Sequence, residues 1–294
     1  MPNQNWYRCY STVLVEQFAS GRKRNYYGKG DVIVYRLNRA GNAPHPVFGA
    51  NIKMLVYGDA FWPTYATGDN SGLIATDSMK NFIQREMVNF TGGDLEDCCA
   101  FLGTKFLDLY PQVEGIQVSA EEIPYAPLTG SAVAFTPSGP ERATARIELD
   151  RNGIAETVSG IRGFRLLRLG GSSFQGFVRD QYTTLPDLAN RPLHIWLDLE
   201  WLYGEPAAAF STGAIPEAVR QLVRQVFCSF ESGSIQQVIY QIGTKMLAEI
   251  PAIVEVRLEA NNRTWDTVVE HGEAIGVFTD ARPPYGCLGL RLRR

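Results

Sequence analysis

Thr76 and Asp77 stand where the apolar run Leu73-Ile74-Ala75 gives way to a helical pattern beginning at Ser78. A hydroxyl and a carboxylate there lie beside unpaired backbone N–H groups and the positive end of a helix dipole, which is a seat for an anionic ligand. The same residue types also cap helices, so this turn alone reads either way. Upstream, Tyr26-Tyr27-Gly28-Lys29-Gly30-Asp31 sets a lysine between glycines but matches neither G-x-x-x-x-G-K-[ST] nor G-x-G-x-x-G. Downstream, Ser173 to Leu185 (SFQGFVRDQYTTL) crowds aromatic, cationic and hydroxyl groups into one run, and Arg191 follows. Taken singly, each is as well explained by packing or surface pairing. His45, His194 and His271 are scattered and form no H-x-H or H-E-x-x-H pattern, so no zinc or iron site is expected.

The elements that must position these groups come from an ordinary globular composition. The chain has 294 residues, 45% of them hydrophobic and 20% charged, with a net charge of -3. That length fits two domains, and the charge leaves no footprint for nucleic acid. No segment approaches the roughly 20 apolar residues that span a bilayer. Met1 to Tyr10 lacks the apolar core of a signal peptide, and Arg291-Leu292-Arg293-Arg294 is not a Ser-Lys-Leu address. The five cysteines (Cys9, Cys98, Cys99, Cys228, Cys287) are odd in number and unpaired in spacing. They argue against a disulfide framework and for a reducing compartment, so a cytoplasmic location is expected. Cys98-Cys99 reads as buried helix packing.

Two stretches repeat. Gly103-Thr104-Lys105-Phe106-Leu107, followed by Pro111, Val113, Ile116 and Val118, matches Gly243-Thr244-Lys245-Met246-Leu247, followed by Pro251, Ile253, Val256 and Leu258. The offset is 243 − 103 = 140 throughout, so one supersecondary unit is duplicated. In the first half, Asp31–Leu37 and Ala50–Tyr57 read as strands. A helix follows from Ser78 with Met79, Phe82, Ile83 and Met87 on one face, and a second near Leu95–Leu109. Strands return at Val113–Ser119 and Ala143–Leu149. The second half gives strands at Gly163–Leu169 and Leu193–Leu202, the latter alternating Leu193, Ile195, Leu197 and Leu199 inward. Helices near Glu217–Phe230 and Ser234–Glu249 precede strands near Val254–Leu258 and Cys287–Leu292. The order β-β-α-α-β-β, twice, implies antiparallel sheets with a helix pair on one face, an α+β class. The joint falls near Arg151–Ser159, and loops are expected at Ala40–Pro46, Pro124–Glu141 and Gly204–Ile215.

YYGKGDV, GDNSGLIATDSMKNFIQ, SFQGFVRDQYTTLP with NRPL, and SIQQVIYQIG occur in one order that resembles the urate oxidase (uricase) family, most closely its bacterial form, from Tyr26 to the C-terminus. The resemblance implies tandem tunnelling-fold (T-fold) domains, each an antiparallel four-stranded sheet with two helices on one face. It places an N-terminal extension at 1–25, a first domain at 26–152 and a second at 153–294. It also implies a homotetramer with active sites at subunit interfaces, a small purine substrate, and no cofactor beyond O₂ as co-substrate. Lys29 would be the base, acting through the Thr76 hydroxyl; a base must spend part of its time neutral, which burial favours. Thr76 and Asp77 would offer backbone N–H groups to the purine, and Phe174 would stack on it. Arg191 and Gln236 would grip the pyrimidine edge with help from the Ile235 backbone. Asn261 would help Thr76 hold O₂, and later water, above the ring.

This sequence departs from the family pattern. Urate oxidases carry a relay histidine just beyond the asparagine; aligning on Thr264-Trp265-Asp266 puts Arg263 there, a side chain that stays charged and accepts no proton. A one-residue slip puts Thr264 there instead, and of the three histidines His271 is the one left to approach in space. Thr67 stands where the family often has Lys. Three readings follow: a urate oxidase whose altered relay uses Arg263 to fix the anion while solvent moves the proton; the same chemistry on another 8-oxopurine such as 8-oxoguanine; or a non-catalytic purine-binding relative.

Overall fold

The computed structural model describes residues 25–40, 46–210, 214–272 and 275–294. Residues 1–24 of the expected N-terminal extension, His45, and parts of the expected loops at 40–46 and 204–215 lie outside the described residues. The chain divides into two units, the first running through Pro137 and resuming over Thr144–Val158, the second comprising Ser138–Ala143 and Ser159–Arg294.

In the first unit, β1 (Tyr27–Leu37) and β2 (Val47–Tyr57) pair antiparallel. A one-turn α1 (Trp62–Thr67) precedes α2 (Thr76–Glu86) and α3 (Leu95–Leu109). Next come β3 (Gly115–Glu122), a small antiparallel pair β4 (Tyr125–Pro127) and β5 (Phe135–Pro137), and β6 (Arg142–Asp150). The sheet order is β1-β2-β3-β6, antiparallel throughout. Ile52, Met54, Val118 and Ile147 share one face because Met54 is registered on Val118 and Val118 on Ile147. All four are fully buried, as are Met79 and Ile83 of α2 and Leu102 and Phe106 of α3.

The second unit takes the end of β7 (Gly153–Arg168), then β8 (Leu193–Tyr203), α4 (Ala214–Ser229), α5 (Ile235–Glu249) and β9 (Ile253–Asn262). A hairpin of β10 (Asp266–His271) and β11 (Ile275–Thr279) follows, then β12 (Cys287–Arg293). The sheet order is β7-β8-β9-β12. Leu193, Ile195, Leu197, Leu199 and Trp201 pack inward with Val223, Val226, Ile239 and Ile242 of the helices, as the alternation predicts. Each unit is thus an antiparallel sheet covered on one face by two helices. Among the described residues, no helix is long and apolar enough to cross a membrane.

The duplication has a physical signature. Helices α3 and α5 are both 15 residues long and start 235 − 95 = 140 residues apart. The repeated glycine lets each helix press onto its sheet: a Cβ at Gly103 would stand 2.5 Å from Leu149, and one at Gly243 within 3.2 Å of Leu292, Leu258 and Val256. An arginine braces the turn between helices in both units. Arg36 donates to the carbonyls of Phe90 and Gly92, and Arg168 to those of Phe227 and Phe230 and to the Ser232 hydroxyl.

Several elements differ from expectation. Strand β1 starts four residues early, at Tyr27 rather than Asp31, because a bulge lets the ladder continue past Gly30-Asp31. Residues 153–159, expected in the joint, begin the 16-residue β7; the turn is only Arg151-Asn152, closed by Asn152 N–H donating to the Asp150 carboxylate at 2.6 Å. The expected loop at Pro124–Glu141 contains the β4–β5 ladder. Among the cysteines, Cys98 and Cys99 are buried free thiols and Cys228 an exposed one. Burial pushes the Cys98 thiol up to about 12. Cys287 is disulfide-bonded, which the odd and unpaired cysteine count did not signal.

Candidate active site

In the first unit the candidate residues gather where β1 meets the start of α2. Lys29 is registered on Met54 and Val32 on Ile52, so two residues, Gly30 and Asp31, face one. The bulge therefore turns Lys29 onto the face of Val32, Ile52 and Met54, the helix-covered side; in a regular ladder, residues three apart point to opposite faces. Asp31 takes up the bend with φ 55 and accepts a hydrogen bond from Asn51 Nδ2 at 3.2 Å. Next to Lys29, a Cβ on Gly28 would lie 1.9 Å from the Met54 carbonyl oxygen, so only glycine lets the strands approach this closely. The Tyr27 hydroxyl accepts from the Ile74 N–H at 3.0 Å, tying β1 to the segment that leads into α2. Burial pushes that phenol up to about 12, so it stays protonated at physiological pH.

Helix α2 begins at Thr76, two residues before expectation. Its N-cap is Ala75, and no side chain supplies a cap hydrogen bond, so neither Thr76 nor Asp77 plays the bland capping role. The exposed Asp77 carboxylate turns along the helix to Lys80 Nζ at 2.6 Å and Asn81 Nδ2 at 2.9 Å. The Lys80 bond first, and the charge of Lys29 among the smaller causes, hold it below the usual carboxylate range. Lys29 thus lies within electrostatic reach of the helix start.

In the second unit, Phe174, Arg191, Ile235 and Gln236 are assembled by backbone bonds. Ser173 N–H donates to the Ser232 carbonyl, and Ser232 N–H to that of Gly171. Phe174 and Leu188 exchange bonds at 2.8 and 3.0 Å, and Arg191 N–H donates to the Ser172 carbonyl at 2.8 Å. Two residues after Ser232, Ser234 caps α5 by accepting from Gln237 N–H at 3.1 Å, so Ile235 and Gln236 are its first two helical residues. Ile235 is buried, whereas Gln236 is exposed. The Arg191 guanidinium carbon lies 5.5 Å from the Phe174 ring centroid. Arg191 Nε is buried without a hydrogen-bond partner, and burial lowers the guanidinium's pKa. Phe177 stacks on Phe174 at 5.0 Å and 15°, so the Phe174 face already accepts one flat ring.

Asn261 and Arg263 lie at the end of β9. Asn261 is registered on Trp196 of β8 and on Cys287 of β12. Arg263 is buried, its guanidinium carbon 4.1 Å from the Trp196 ring centroid and 3.4 Å from that of Tyr285. Arg165 of β7 lies 4.3 Å over the same indole, so Trp196 engages two cations. These aromatic partners went unread in the sequence, as did His194, whose carbonyl accepts the Arg263 N–H at 2.9 Å. The signal existed: with Leu193 and Ile195 inward, His194 and Trp196 must face the other way. Among the described residues no cluster of His, Cys, Asp and Glu could hold a metal ion.

The comparisons with known proteins agree on one family. A family profile described as uricase matches residues 25–148 and 157–287. The chain is 39% identical to a uric acid degradation bifunctional protein of Bacillus sp. TB-90 over 89% of its own length, and 35% identical to the uric acid degradation bifunctional protein PucL of Bacillus subtilis over 93%. It spans 58% and 62% of those two relatives' lengths. A uricase of Haloferax volcanii is 38% identical over 82% of the chain and 89% of that protein. The crystal structure of Bacillus sp. TB-90 urate oxidase superposes with a TM-score of 0.83 at 37% identity, covering 92% of this chain and all of that one. With its antiparallel sheets, its helix pairs and its tandem units, the chain belongs to the uricase family.

Proposed function

We propose that this chain oxidises an 8-oxopurine with O₂ and without a cofactor, converting urate to 5-hydroxyisourate and H₂O₂. The observation that carries the reading is the half-site of the second unit: a flat aromatic face at Phe174, a guanidinium over it from Arg191, and the start of α5 at Ile235-Gln236, tied together through Ser172, Ser173 and Ser232. Such a set suits a planar, anionic heterocycle with carbonyl edges. Arg191 only donates, while the Gln236 amide both donates and accepts.

In the first unit Lys29 and Thr76 are the proton-removing pair of this proposal, with the N–H groups of Thr76 and Asp77 turned to the ring. Deprotonated urate is electron-rich enough to pass one electron to O₂, and the two radicals join at carbon 5. Water then forms a C–O bond there as the peroxide leaves with its electron pair, so urate, O₂ and H₂O give 5-hydroxyisourate and H₂O₂. The residues contribute orientation, stacking and proton transfer. The active form in this proposal is a homotetramer with sites shared by neighbouring subunits of two-domain chains (26–152 and 153–294), working in the cytoplasm.

Oxygen-electrode assays with urate and 8-oxoguanine side by side test the reading. Uptake with urate is expected. Uptake with 8-oxoguanine alone would move the substrate to that purine; the donor-only guanidinium of Arg191 disfavours its 2-amino group. Tight binding with no uptake would leave a purine-binding relative.

A further inference from the structure

Resting on that reading, the geometry points to His194 as the proton-transfer residue beside Asn261, the one that takes a proton from attacking water and returns it to the departing peroxide. Arg263 cannot do this, because a guanidinium accepts no proton and its plane is engaged by Trp196 and Tyr285.

Three placements support the assignment. Strand β8 buries Leu193, Ile195 and Leu197, which turns His194 and Trp196 to the face away from the helices. Trp196 is registered on Asn261, and Arg263 N–H bonds the His194 carbonyl, so His194, Trp196, Asn261 and Arg263 share that face as cross-strand neighbours. His194 also follows Arg191 by three residues, so the strand that carries it leaves directly from the proposed purine-gripping arginine.

The ring itself is prepared for exchange. It meets Trp265 edge-on at 5.4 Å, which fixes its plane. Its Nδ1 is buried with no hydrogen-bond partner, an unsatisfied position that a water or ligand would fill. The charged groups around it are Arg165 from β7, Arg263 at the end of β9 and Asp280 after β11. Burial first, then Arg165, outweigh a hydrogen bond of the ring to the Arg263 backbone and the Asp280 carboxylate, and lower its pKa. A neutral imidazole at physiological pH is an acceptor. In the step proposed, a water proton passes to His194 as the water oxygen bonds carbon 5. The C–OOH bond breaks with its electrons on oxygen, and the proton ends on that peroxide to give H₂O₂.

His194→Phe keeps a ring against Trp265 and removes both nitrogens. Its kcat on urate is expected to fall on the order of 10²–10⁴-fold, with KM within about threefold and the acid limb of the kcat–pH profile gone. A histidine that only packs would leave kcat and that limb unchanged, which overturns the inference. Arg165 is exposed, so Arg165→Met tests the same idea without touching the interior. Losing that cation should move the acid limb of kcat to higher pH, and an unmoved limb is equally fatal. Absence of oxygen uptake by the unaltered protein with either purine removes the oxidase reading and this inference together. Uptake that survives His194→Phe removes this inference alone.

Discussion

Gly28→Ala tests whether the approach of β1 to β2 sets the lysine. A Cβ there would stand 1.9 Å from the Met54 carbonyl oxygen, a backbone atom that no rotamer change can move. Ordinary carbon–oxygen contact begins near ~3.3 Å, so the strands must part by about 1 Å or more. Among the described residues β1 pairs only with β2 in the first unit's sheet, so the edge strand yields while the β2-β3-β6 ladder holds. The stability cost should be that of an overpacked site, about 1–3 kcal/mol, and a few degrees in Tm for a chain of this size. Lys29 is the next residue and moves with the strand. A misplacement of about 1 Å at a reacting group costs on the order of 10²-fold, so kcat on urate should drop roughly a hundredfold while unfolding stays cooperative. Gly30→Ala is the control, because a Cβ there meets only Lys53 side-chain carbons, the nearest at 3.6 Å. Steady-state oxygen uptake and thermal scans on both variants decide the matter. Gly28→Ala turning over like the unaltered protein would refute the link between strand spacing and Lys29.

Lys29→Met should lower kcat on the order of 10²–10⁴-fold while anaerobic urate binding stays within a few fold; undiminished turnover would rule the lysine out as base. Gln236→Glu sets a carboxylate beside the purine site, and KM should rise at least about tenfold, near 1.4 kcal/mol; an unchanged KM would take Gln236 out of the site. Glu255 is 2% exposed and accepts from Arg257 at 2.8 Å and Arg291 at 2.7 Å. Burial alone would raise its pKa, but those arginines outweigh it and hold the carboxyl below its ordinary value. Its contribution is therefore present above the unfolded pKa near ~4.3 and lost as pH falls through the folded value. Glu255→Gln should cost on the order of 3 kcal/mol at neutral pH and flatten the acid side of the Tm–pH curve; parallel curves would contradict this.

What the sequence made legible was local or periodic. Leu193, Ile195, Leu197 and Leu199 announce their face by alternation, and Met79, Ile83 and Met87 announce theirs by helical spacing. The offset of 140 exposed the duplication because glycine at 103 and 243 answers the same steric demand in each unit. What stayed hidden depends on pairing between distant strands. The bulge at Gly30-Asp31 is visible only once Lys29 is set against Met54, and it decides which way the lysine faces. The length of β7 was masked because Arg151–Ser159, with Gly153 in it, reads as a joint and the strand as starting only at Gly163 until the flanking strands are in place. His194 looked like a stray histidine because its relation to Arg263 runs across the β8–β9 pair.

The duplicated frame offers equivalent helix starts, and this sequence has not used them equally. At an offset of 140, Ser234, Ile235, Gln236 and Gln237 of α5 correspond to Asp94, Leu95, Glu96 and Asp97 at α3. The first turn of α3 carries Glu96 and Asp97, whereas that of α5 carries no acid. Acids there are favourable to the helix itself, by about 0.3–1 kcal/mol each, but they occupy the positive pole that an anionic ligand would need. Helix α5 forgoes that stabilisation and leaves its pole open beside Arg191. For the other pair of helices both first turns carry an acid, Asp77 in α2 and Glu217 in α4, and the difference lies one residue earlier: Thr76 corresponds to Pro216, which has neither a hydroxyl nor an N–H to offer. What α2 keeps over α4 is therefore a hydroxyl and an N–H, not a pole free of acid.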